Sequence, residues 1–439
     1  MLPPRRVLQM EAEGIKRRMA EGRSKGNTKQ VSFYATELTK LKAIFKLLTN
    51  EAYEPLMDVN TTEKEALSKI FFNLCGCGWR NNFGWAGLTA SMTKPEIEAM
   101  EAEAAVYDGV KLLKLMSLGG NLGTVGILDL EGMGCEGIIP NEIGEFKVLK
   151  RLHLSLNKIT GKLPLNIRSL KRIESIDISC NCITGEYDNS YFNDIGDKCT
   201  NIDFSFNDMS GQIPDCFYLY QALQKLNLSG NRFSGSLPTS IASLTSLRVL
   251  KMYNNNLEGN LHEIFSACVS LEEVNLSKNR FSGSPCGAFA KCTALERLNL
   301  SRNQLDYDLD IHSLAQLSSL QLLYLDHNSI AGSIGPEICS LKSLKFLNLS
   351  HNRLCGVLPT DFGDLVNLEV CVLSGNQIIG PVPRSMSQLT NLKDFHVFNQ
   401  WPSEFTEMPR SFKSFTFRRL YRDALSLEMD SLCWRQHTM

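Results

Sequence analysis

No stretch of this chain approaches the roughly 18 uncharged apolar residues that a membrane-spanning helix needs, so no such span is expected. The opening MLPPRRVLQMEAEGIKRRMAEGRSKGNTKQ has no apolar run after its arginines, which argues against a secretory signal. Glu11, Glu13 and Glu21 argue against an organelle transit peptide as well. An excess of one charge is also missing: 46 Lys and Arg stand against 47 Asp and Glu, for a net charge of −1, so nothing global points to nucleic acid. The sequence has no G-x-x-x-x-G-K-[ST], no H-E-x-x-H and no G-x-S-x-G. Its seven histidines are scattered singly and make no metal-ligand set. A non-enzymatic protein without a cofactor or metal is the expectation.

What the sequence has is repetition. Copies of L-x-x-L-x-L-x-x-N-x-[LIFM]-x-G begin at Leu149, Ile173, Cys199, Leu223, Leu247, Leu271, Leu295, Leu320, Leu344 and Leu368. Examples are LQKLNLSGNRFSG from Leu223 and LEEVNLSKNRFSG from Leu271. A worn copy starts at Leu392, and an entry copy at Val125 has Met133 in place of Asn, giving about twelve units over 125–400. In each copy apolar and polar residues alternate as in a strand with one buried face. One unit cannot bury its own leucines, so the units must stack into one continuous core. The recurrent Asn at 157, 181, 207, 231, 255, 279, 303, 328, 352 and 376 both donates and accepts. Its expected role is structural, a ladder that satisfies backbone groups at the turn leaving each strand.

Several units continue into G-x-[ILV]-P, as at Ile139-Pro140, Leu237-Pro238 and Leu358-Pro359. With this extension the repeat resembles the plant-type subclass of leucine-rich repeat proteins. The resemblance implies an α/β solenoid: a curved horseshoe with a parallel sheet on the concave face, and short strands, 3₁₀ turns or helices on the convex face. Before the repeats, EALSKIFFNLCGCGWRNNFGW from Glu65 is similar to the helical N-terminal cap of that subclass, with Trp79, Asn82 and Trp85 at the W-x-x-N-x-x-W spacing. Secreted members place a disulfide around this motif, but here no cysteine follows Trp85 until Cys135. Kinases associated with the family are not echoed: Asp361-Phe362-Gly363 spells the kinase metal-binding triplet, but it sits in the repeat linker LPTDFGDLVNL with no catalytic loop.

The expected organisation is a mobile basic arm over 1–35, a helical cap over 36–124, the solenoid over 125–400 and a C-terminal cap or tail over 401–439. Most of the fourteen cysteines fall on repeat positions for small or apolar residues and are read as free core thiols. Four N-L-S sequons, at Asn227, Asn275, Asn299 and Asn348, are by-products of the repeat, and glycans on Asn227 or Asn299 would mark a secreted chain.

Residues pointing away from the core change character along the solenoid. Asp129, Glu131, Asp177 and Asp203 come first; Lys251, Tyr253, Lys278, Arg297 and Arg302 follow; Tyr324, Asp326, His327, Phe346 and His351 come last. Aromatic residues and arginine anchor interfaces, so the ten residues of the last two groups form the candidate partner-binding surface. The expected protein is a monomeric cytoplasmic recognition or scaffold protein that docks a protein partner on its concave face, without nucleic acid, small-molecule cofactor or membrane association. The alternatives are a secreted or membrane-associated receptor-like recognition module and the specificity subunit of an enzyme complex.

Overall fold

The computed structural model describes residues 110–117, 120–187, 197–262, 264–309, 311–312 and 314–397, with helical positions Glu63, Ala66, Lys69, Ile70 and Asn73 before them. The chain forms two compact units, Met1–Ile173 and Glu174–Met439. The arm over 1–35, the Trp79–Trp85 motif and the tail over 401–439 lie outside the described residues.

In the first unit, strand Gly120–Asp129 pairs antiparallel with Val110–Ser117 and parallel with Arg151–His153. Residues 110–117 and 120–124 thus extend as strand where a helical lid was expected. The reason is physical: the first repeat strand exposes a row of backbone donors and acceptors, and a hairpin partner satisfies them directly. Glu63, in helical conformation, accepts a hydrogen bond from the Val125 N–H at 3.1 Å. Burial raises the pKa of this carboxyl, and that hydrogen bond works in the opposite direction.

The second unit stacks parallel three-residue strands in sequence order, from Ser175–Asp177 to Asp394–His396. Their register keeps equivalent residues side by side, as in Leu226↔Leu250, Leu250↔Val274 and Val274↔Leu298. Each of these central residues is fully or almost fully buried, so the leucine period becomes one apolar column. A second parallel series runs through Cys182–Glu186, Asp208–Gln212, Arg232–Gly235, Asn256–Asn260 and Arg280–Ser282. It then breaks up into single bridges such as Ser282↔Gln304 and Asp308↔Ala331. At that point the sequence reads LDYDLDIHSL, with Tyr307 where the preceding units have glycine. Short 3₁₀ helices, among them Thr239–Ser243, Phe362–Asp364 and Arg384–Gln388, connect the two series.

The asparagine ladder is present. Asn279 Nδ2 donates to the carbonyls of Met252, Leu276 and Ser277 at 2.9, 3.1 and 3.2 Å, and its Oδ1 accepts from Leu257 N–H at 3.0 Å. Asn207, Asn231, Asn255, Asn303, Asn328 and Asn376 repeat the arrangement in their own units. Cys199, Cys216, Cys268, Cys292 and Cys371 are free, buried thiols. Burial pushes Cys268 up to about 12 and Cys292 up to about 11, so they stay protonated core residues. Cys355 is exposed, and Cys180 departs from the free-thiol expectation because it is disulfide-bonded.

Candidate binding surface

Three rows of side chains cover the open face of the second unit's sheet, and the strand register fixes which residues share a row. The row that opens each strand runs Lys225, Val249, Glu273, Arg297, Leu322, Phe346 and Val370. Two residues later on each strand a second row runs Asn227, Lys251, Asn275, Asn299, Tyr324, Asn348 and Val372. Beyond the strand ends a turn follows in which the residue before each ladder Asn has positive φ. Cys180, Phe206, Asn254, Lys278, Arg302, His327 and His351 lie between 52° and 56°, with Gly230 and Gly375 at equivalent positions.

Eight of the ten expected site residues fall in these rows, with Tyr253 and the buried Asp326 just before the turn row, and they form separate groups. Tyr324 and Phe346 stack with ring centroids 4.6 Å apart and 28° between planes. His327 and His351 stack at 4.4 Å and 29°, and Asp326, almost buried, holds His327 Nδ1 at 2.9 Å. The pKa of His351 is lowered, first by burial and then by the neighbouring His327 and Arg302, against the opposing pull of Asp326. Tyr253 meets Phe206 edge-on at 6.1 Å. That contact depends on Gly230, where a Cβ would fall 2.7 Å from the Phe206 ring.

Glu273 is the residue that the sequence reading missed. Its carboxylate pairs with Lys251 at 2.8 Å and with Arg297 at 3.5 Å. Two of the expected anchoring cations therefore already share one neighbouring carboxylate. The position was legible as outward-facing, two residues before Asn275, but a search for cations and aromatics passes over an acid. Lys278 and Arg302, by contrast, are exposed and form no ion pair among the described residues. Asn275 and Asn299 are only 6% and 9% exposed, and the Oδ1 of each accepts from the serine two residues on. A glycan on Asn299 is thus incompatible with this packing. A shallow polar groove of about 730 Å³ lies over the second series of strands, lined by Gln212, Ser236, Glu258, Arg280 and Gln304, and none of the ten residues borders it.

A side chain at positive φ carries a conformational cost of about 1 kcal/mol that glycine avoids. Lys278→Gly should therefore raise the unfolding free energy by about 0.5 kcal/mol, once the greater freedom of glycine in the unfolded chain is subtracted. Lys278→Ala, equally strained, should leave it unchanged in the same urea titration.

These stacked units with their asparagine ladder make the fold a leucine-rich repeat solenoid, similar to that of the plant-type subclass. Leucine-rich repeat family models match residues 269–330 and, separately, 148–170, 222–244 and 343–365. Among solved structures, the chain is similar to the Arabidopsis receptor kinase HAESA in complex with the peptide hormone IDA and the co-receptor SERK1, at 31% identity and a TM-score of 0.50 over 61% of this chain and 48% of that one. It is also similar to a TDR receptor, at 28% identity and a TM-score of 0.59 over 62% and 47% of the two chains. PEPR1 bound to AtPEP1 matches at 26% identity and a TM-score of 0.55, over 63% and 42%. The chain thus spans less than half the length of each of these receptors. No curated protein sequence matches it. Among the described residues no helix is long and apolar enough to cross a membrane, and no group of His, Cys, Asp or Glu could hold a metal ion.

Proposed function

We propose that this chain is a non-enzymatic recognition module that holds a protein or peptide partner on the open face of its repeat sheet, the concave side of the solenoid. The observation that carries the reading is the Tyr324–Phe346 stack: two half-exposed aromatic rings packed on each other across adjacent strands of that face. Such rings bury much area at little conformational cost, which suits them to anchor an interface. Lys278, Arg302, His327 and His351 line the edge of the same face and add charge beside the aromatic anchor.

The likeness to HAESA, the TDR receptor and PEPR1 supports the secreted or cell-surface alternative over the cytoplasmic expectation, and the disulfide at Cys180 is in keeping with an oxidising compartment. The test is affinity capture with the tagged full-length chain from its own cells, comparing the wild type with Phe346→Ala and Tyr324→Ala. Each truncation should weaken recovery of a recurrent partner about tenfold or more, with melting behaviour unchanged. Equal recovery in both variants would move the interface away from this face. Lys251→Glu or Arg297→Glu is a poorer probe, because either change crowds a second carboxylate against Glu273 and disturbs the fold as well as the surface.

A further inference from the structure

The turn edge of the sheet carries a feature that the aromatic anchor does not use. Its consecutive positive-φ residues Lys278, Arg302, His327 and His351 each leave one side chain at the end of a strand, in four successive units. At a strand spacing of about 4.8 Å the row is about 14 Å long. Lys278 and Arg302 are exposed cations without a carboxylate partner among the described residues. The two imidazoles continue the line by stacking on each other, and Gly375 ends it: a Cβ there would lie 2.8 Å from His351 Nδ1, so its glycine makes room for that ring.

We propose that this row binds an acidic peptide segment in extended conformation, and that protonation of the histidine pair strengthens the binding. The proposal rests on the partner-binding reading above and specifies the charge of the partner. An extended chain advances about 3.3 Å per residue, so five residues cover the row and place alternate side chains, i, i+2 and i+4, over it. Three carboxylates at that spacing face two permanent cations and two imidazoles.

The groups facing the pair decide the sign of the pH effect. Asp326, on the unit of His327, lies 2.9 Å from that ring's Nδ1; His327 and Arg302 oppose charge on His351 while Asp326 favours it; Gly375, from the following unit, adds no charge. Without an anion, protonating both rings places two like charges 4.4 Å apart next to a guanidinium. A bound carboxylate removes that penalty, so binding takes up protons and affinity rises as pH falls through the histidine range, while glutamates stay ionised above about pH 5.

The experiment uses the full-length chain with ¹³C-labelled histidine, titrated at pH 7.5 and at pH 5.5 and constant ionic strength with the peptide Glu-Ser-Glu-Ser-Glu, or with Gln-Ser-Gln-Ser-Gln as the uncharged control. His327→Gln and His351→Gln assign the two ring signals. The acidic peptide should shift both, bind about tenfold more tightly at the lower pH and leave the other histidines in place as a check on folding. In His327→Gln/His351→Gln, followed by intrinsic fluorescence, the ratio of the affinities at pH 5.5 and pH 7.5 should fall to about one. Lys278→Gln/Arg302→Gln should lose binding at both pH values. Unmoved ring signals at millimolar peptide, equal binding of the uncharged peptide, a pH gain that survives removal of both histidines, or preferential binding to phosphatidylserine vesicles would each overturn the proposal. Those failures leave the recognition reading standing wherever partner capture still depends on Phe346; peptide binding together with capture indifferent to Phe346 and Tyr324 would sink that reading instead.

Discussion

Asn279→Leu is expected to lower the unfolding free energy by about 2–3 kcal/mol, although leucine suits a buried site and adds apolar surface. The loss is specific. Leu257 N–H, fully buried in the preceding unit, donates to Asn279 Oδ1 at 3.0 Å and would be left without that acceptor. The carbonyls fare better, because the ladder serves most of them twice. Met252 O also accepts from Asn255 Nδ2 at 3.1 Å, and Leu276 O accepts from Asn303 Nδ2 at 3.1 Å. One orphaned buried donor and several half-satisfied acceptors account for the size of the effect. Asn279→Asp separates the two contributions: it keeps an acceptor for Leu257 but turns a carboxylate towards three carbonyl oxygens, and it should be at least as damaging at neutral pH. Because the lost bonds join one unit to the one before it, amide exchange should quicken around residues 250–280 before the rest of the stack responds. A melting curve and exchange pattern like the wild type would refute a structural ladder.

The ladder and the stack were legible because each rests on a period. A residue type recurring at one position in every unit meets the same neighbours in every unit, so one physical argument covers all copies. What depended on a single place was hidden. Strand Val110–Ser117 lies where a helical lid was expected, since what calls for it is the bonding need of the neighbouring strand and not a pattern of its own. Lys278, Arg302, His327 and His351 were expected as outward-pointing strand residues. The structure sets them one step beyond, in a turn whose positive φ no period of apolar residues reveals. Glu273 alters two candidate cations through ion pairs that reach across neighbouring strands, a relation carried by register.

The same contrast explains Asp361-Phe362-Gly363 and gives the second large effect. Phe362 is fully buried, and Phe362–Asp364 forms a 3₁₀ turn packed on the next one, Arg384–Gln388. A Cβ on Gly363 would lie 1.9 Å from the carbonyl oxygen of Ser385 and 2.3 Å from its carbon. Those are backbone atoms, so no rotamer change relieves the clash and the two turns must move apart. Ser385 has little slack: its Oγ accepts from Gly363 N–H at 3.0 Å and donates to Thr360 O at 2.5 Å. Gly363→Ala should therefore cost about 3 kcal/mol, the upper end of what overpacking does, and Gly363→Val more. The corresponding place in other units holds Arg168, Tyr218, Ala242 or Cys339, and glycine again at Gly144, where a Cβ would lie 2.6 Å from the carbonyl oxygen of Asn166, so the repeat itself does not demand glycine. Ala242→Gly makes the matched comparison and should cost no more than about 1 kcal/mol. A melting temperature unchanged by Gly363→Ala would show that adjacent turns can separate freely. A sharp fall confined to Gly363 would show that this triplet is held by close approach of two backbones, with no part in catalysis needed to account for it.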